Sequence, residues 1–116
     1  MTPAERQDLI ARYAKGPTLF RAALAEAPAE MLQWRPAPGK WSVHEVVVHC
    51  ADSEANAHGR IRTLLADKDP VIQGYDQDEW ARRFDYHRRS MSLALATIDA
   101  VRANTVPILE SMTEAD

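Results

Sequence analysis

One cysteine, Cys50, is all the sequence holds, which excludes an internal disulfide and any zinc site built from cysteines. No apolar span reaches 18 residues, so nothing in the chain is expected to cross a bilayer. The first residues lack a basic-then-apolar leader, and the cytoplasm is the expected location. Basic excess is missing too: 14 Lys and Arg against 17 Asp and Glu leave a net charge of −3. That balance argues against binding nucleic acid by phosphate neutralisation. There is no internal repeat, no low-complexity tract and no alternating strand pattern. Only four histidines remain as obvious ligands or bases.

What is present reads as helix. The 116 residues suffice for one domain with a single core, and 46% apolar with 27% charged residues is a globular profile. The first helix is expected over about 3–26: Thr2 caps, Pro3 suits the first position and Glu5 closes a capping box. Leu9, Tyr13, Phe20 and Leu24 share one face. Gly16-Pro17 interrupts it, because Pro17 has no N–H for the Tyr13 carbonyl, so a kink or break is expected there. The second helix, about 43–66, starts at a Ser42 cap with Glu45 three residues on and Trp41 able to staple onto Val46. Val43, Val46, Val47, Cys50, Ala57, Ile61, Leu64 and Leu65 fall within an arc of about 100° and form its expected core face.

Residues 67–89 make a long connector with a short helix from Asp76. Antiparallel neighbours need only about two to eight linking residues, so this length suits a crossover between parallel helices. The third long helix, about 90–112, places Met91, Ala94, Ile98, Val101, Thr105, Ile108 and Met112 on a 3-4 seam, with a bend expected at Pro107. Three amphipathic helices and one crossover leave a groove where a fourth would lie. The expectation is a four-helix bundle whose last helix is missing or supplied by a partner.

Three residues carry candidate chemistry. His49 lies about 60° beyond the core arc, where a neutral imidazole can ligate a metal or simply bond a facing helix. His44 and His49 diverge by about 140°, and His44 and His58 stand roughly 21 Å apart along the axis, so no pair on this helix chelates one ion. Glu54 falls inside the core arc, where an unpaired carboxylate is costly. It is either a functional acid or base, or the partner of His58 or of an arginine from Arg82-Arg83 or Arg88-Arg89. Asp52 is the third residue, an acid on the His49 side of the helix. Cys50, at a core position, reads as a small hydrophobe rather than a nucleophile.

The run Pro38-Gly39-Lys40-Trp41-Ser42-Val43-His44-Glu45-Val46-Val47-Val48-His49-Cys50-Ala51-Asp52-Ser53-Glu54 resembles the central motif of the DinB/YfiT-like superfamily of metalloproteins. Asn56-Ala57, Arg60-Ile61-Arg62, Asp69-Pro70, Tyr75-Asp76 and Trp80-Ala81 add to the likeness. The resemblance implies an all-α, up-down-down-up four-helix bundle. It also implies a divalent metal, nickel or zinc, held by three histidines, of which His49 matches one. The other two belong to an H-x-x-x-H on a fourth helix that has no counterpart in these residues.

Two functions follow as expectations. One is a metal-dependent enzyme acting on a small-molecule substrate. By the same resemblance it would transfer a low-molecular-weight thiol to an electrophile or act as a hydrolase, with Asp52 or Glu54 orienting a ligand or moving a proton, and this short chain would be inactive or impaired. The other is a non-catalytic helical stress-response or interaction module that forms a homodimer through its open groove.

Overall fold

A computed structural model describes residues 1–116. It is all-helical: α1 spans Pro3–Ala25, α2 Val43–Ala66, α3 Gln77–Arg83 and α4 Met91–Ser111, with single 3₁₀ turns at Ala29–Met31 and Tyr86–Arg88. Both capping boxes form. The Thr2 hydroxyl accepts from the Glu5 amide at 3.2 Å while Glu5 accepts from the Thr2 amide at 2.6 Å. Ser42 and Glu45 exchange the same pair of bonds, each at 3.2 Å. Ser90 caps α4, which is the third long helix of the sequence reading.

Side-chain contacts fix the directions of the helices. The start of α2 meets the approach to α4 where His44 Nε2 lies 2.8 Å from the Arg89 carbonyl, and Glu54 meets Arg102 one-half helix further on. Those two helices therefore run parallel, as a crossover requires. Arg6 donates to the Leu109 carbonyl and Arg21 pairs with Asp99. Hence α1 runs antiparallel to α4. Seen from α1 the order is up, down, down. No helix is long and apolar enough to cross a membrane.

The core is a thin layer. Ala94, Ile98 and Thr105 of α4 are buried, along with Val47, Val48 and Ala51 of α2 and Ala81 and Tyr86 of the connector. The burial on α2 departs from the expected arc. Val43 and Val46 are 39% exposed and Leu64 is 53% exposed, whereas Val48, about 100° outside the arc, is buried. The physical reason is the connector: α3 and the Tyr86–Arg88 turn pack on the side of α2 that carries Val48 and Ala51. Val43 and Val46 of the arc line the space between α1 and α2 instead, while Val47, also of the arc, lies in the core as expected.

That space is a groove. α1 buries no residue completely, and Leu9 points to solvent while Ile10 is half-buried. Phe20 and Leu24 of α1 face Trp41, Val43 and Val46 across an apolar cleft of about 320 Å³. The accessible surface is 8096 Å². A self-contained monomer of this mass would expose about 6,300 Å². The radius of gyration, 16.3 Å, also exceeds the ~13 Å of a compact chain this long. Roughly 1,700 Å² of surface is therefore present in excess.

Candidate metal centre

His49 lies in the second turn of α2, next to the groove. Its imidazole is half-buried, packed 4.8 Å from the Trp41 ring, with Ser53 Oγ 3.4 Å from Nε2. Its Nδ1 is buried and has no hydrogen-bond partner. A buried ring nitrogen without a partner is costly unless something fills its valence. Beside it opens a cleft of about 210 Å³, walled by Gly16, Pro17 and Phe20 of α1 and floored by Ile98 and Arg102 of α4. Cys50, Ser53 and Glu54 line the same cleft.

The residues fit a metal ion as one ligand and no more. No group of three His, Cys, Asp or Glu side chains converges anywhere in the chain. His44 and His87 do approach, their rings 5.8 Å apart, but at the start of α2 and without His49.

Glu54 finds its partner on α4, not on the connector or at His58. Arg102 grips both oxygens, Nε to Oε2 at 2.8 Å and Nη2 to Oε1 at 2.6 Å. Its Nη1 donates to the Tyr13 carbonyl at 2.7 Å, and the guanidinium lies 4.0 Å over the Tyr13 ring. Here the Gly16-Pro17 pair takes on a meaning the sequence did not give it. α1 does not break there. Pro17 leaves the Tyr13 carbonyl free and Arg102 takes it, while a Cβ at Gly16 would stand 2.5 Å from Nη1. The pair is a seat for a guanidinium that ties three helices together. Arg102 was invisible to periodicity because it lies beside the seam, not on it.

Asp52 accepts from the hydroxyl of Tyr86, whose ring is 1% exposed. Burial, then the hydrogen bond to Asp52, pushes the Tyr86 phenol far above its ordinary range. Nothing in the sequence pattern singled out Tyr86. Burial, with the Glu54 charge, likewise raises the Cys50 thiol, which keeps it protonated and fits the reading of a half-buried hydrophobe at the core edge.

A third polar group stands at the head of α2. His87 Nε2 is 2.6 Å from Ser42 Oγ and 3.1 Å from Glu45 Oε1, and Arg35 donates to Glu45 at 2.7 Å. Serine, histidine and glutamate together suggest a hydrolytic triad, but the geometry is wrong for one. Ser42 is 1% exposed, and both partners share the same ring nitrogen, so no base is oriented by a third group. This cluster fastens the connector to α2. Arg82 is taken up by Glu79 on its own helix.

Comparison with known proteins agrees with this architecture. The DinB superfamily model matches residues 12–116. A "Putative metal-dependent hydrolase" of Bacillus licheniformis is 34% identical over 112 residues, covering 97% of this chain and 64% of that protein. Another from Geobacillus thermodenitrificans is 33% identical over 110 residues, covering 95% of this chain and 62% of the relative. The chain thus spans less than two thirds of these relatives. The solved structure of YfiT from Bacillus subtilis superposes with a TM-score of 0.89 at 23% identity, over 99% of this chain and 66% of that one. It is described as "a probable metal-dependent hydrolase with an unusual four-helix bundle topology". With the crossover, the parallel α2–α4 pair and the capped helix that carries His49, the match settles the family: this chain belongs to the DinB superfamily.

Proposed function

We propose that the chain contributes His49 to the divalent-metal centre of a metal-dependent enzyme, and that the groove between α1 and α2 admits the remaining ligands. The observation that carries this reading is the half-buried His49 imidazole beside an open cleft, one of its nitrogens buried and unpaired. The hydrolase names of the relatives support it. A divalent ion, nickel or zinc by the family likeness, supplies Lewis acidity and lowers the pKa of a water or thiol that it holds. The finer reading is transfer of a low-molecular-weight thiol to a small electrophile. To Asp52, whose carboxylate accepts from Tyr86, this reading gives the task of orienting a ligand or moving a proton. Glu54, with both oxygens taken by Arg102, serves as a fixed charge. The residues present supply one metal ligand, so chelation by them alone is weak.

Calorimetric titration with Ni²⁺ and Zn²⁺ tests this. Weak binding that His49→Ala abolishes is expected. Tight stoichiometric binding by the monomer, or binding indifferent to His49→Ala, refutes it.

The excess surface favours a second reading, a homodimer closed through the groove. A standard interface buries about 800 Å² on each partner, so an excess of roughly 1,700 Å² on one chain is ample for such a contact. Light scattering across a concentration series decides: a monomer at every concentration excludes this reading.

A further inference from the structure

The connector between α2 and α4 reaches back to the candidate ligand at Tyr75. Arg60 of α2 donates to the Gln73 carbonyl at 2.8 Å and lies 5.9 Å over the Tyr75 ring. Trp80 of α3 packs on that same ring at 4.5 Å. Held this way, the Tyr75 hydroxyl meets Ser53 Oγ at 2.7 Å, and Ser53 Oγ lies 3.4 Å from His49 Nε2.

A serine on a helix ordinarily turns its hydroxyl back to the carbonyl four residues earlier, or rotates among its wells. The short bond to Tyr75 removes that freedom. It leaves the oxygen at the edge of the imidazole one turn away, where i and i+4 side chains meet. The last contact is long and therefore weak in itself. Its value is directional: Trp41 holds the ring on one flank, and Ser53 limits its rotation at the nitrogen edge.

We propose that Tyr75 is a positioning residue, which acts through Ser53 to fix the orientation of the His49 imidazole. This rests on reading His49 as a metal ligand. Ligating imidazoles depend on such outer partners, whose loss costs about 10- to 100-fold in metal affinity.

The test reads the imidazole directly, without metal. In the ¹⁵N-labelled chain, the side-chain nitrogens of the four histidines are followed by NMR, with His49→Asn assigning the resonance of interest. Tyr75→Phe keeps the ring and its packing on Trp80 and removes only the hydroxyl. It is expected to shift the His49 nitrogens while His44, His58 and His87 stay in place. Ser53→Ala is expected to do the same, and adding Tyr75→Phe to Ser53→Ala is expected to move His49 no further. An unmoved His49 in either single variant overturns the proposal, as does a Tyr75→Phe shift that persists in the Ser53→Ala background. Failure of metal binding at His49 would sink the reading above and leave this coupling standing.

Discussion

Arg102→Met is the perturbation whose cost the structure lets one work out. The Glu54 and Arg102 side chains are 13% and 23% exposed, so their pairing is neither a surface ion pair nor a fully sealed one. A surface pair contributes about 0–1 kcal/mol. Removing one partner of a buried pair costs about 3–5 kcal/mol, because the other charge is left without compensation. The low end applies here, about 3 kcal/mol. The Tyr13 carbonyl also loses its donor, and with Pro17 four residues on it has no replacement in α1, which adds about 1 kcal/mol. The cation–π contact with Tyr13 adds about 1 kcal/mol, and the apolar methionine stem recovers a similar amount. The expected loss is about 4 kcal/mol, a fall of roughly 2 M in the urea midpoint for a chain this size. Urea unfolding followed by circular dichroism measures it. Glu54→Gln in the Arg102→Met background should restore about 2 kcal/mol, since the uncompensated charge is then gone. A single-variant loss below about 1 kcal/mol, with additive behaviour in the double variant, would refute the reasoning and demote the pair to surface decoration.

Other outcomes follow from the same contacts. Gly16→Ala should destabilise α1 although alanine is the better helix former, because its Cβ would meet Nη1 of Arg102 at 2.5 Å; in the Arg102→Met background that penalty should vanish on the same urea curves. Burial alone would raise the Glu45 carboxyl, but hydrogen bonds from Arg35 and the Ser42 amide, together with the Arg35 charge, hold it below its ordinary 4.5. A depressed folded-state value means that stability is fully present above about 4.5 and is lost as pH falls through the lower folded value. Acid unfolding should therefore lose this component in Glu45→Gln. Tyr86→Phe should cost about 2 kcal/mol by leaving Asp52 without its donor, read as a lower urea midpoint.

The helices were legible because their signals are local. Thr2 with Glu5 and Ser42 with Glu45 encode their starts within four residues, and the seam from Met91 to Met112 encodes a face. The connector length encoded the parallel crossing of α2 and α4. In the candidate cleft the sequence singled out His49, seven residues after Ser42 in a recognisable motif, and Glu54, by its place in the core arc. Arg102, Tyr86 and Tyr75 were not singled out, since each acts on a residue 22 to 48 positions away and carries no periodic mark.

The sequence by itself determined where helices begin, that one crossover joins two of them, and which imidazole stands apart from the core stripe; caps, periodicity and loop length act over a turn or a linker. Tertiary structure alone decided which side of α2 is buried, that Gly16-Pro17 seats a guanidinium instead of breaking α1, and which arginine balances Glu54. Those outcomes depend on what packs against what. Burial and charge compensation are properties of the assembled neighbourhood, and a single helix cannot encode its neighbours.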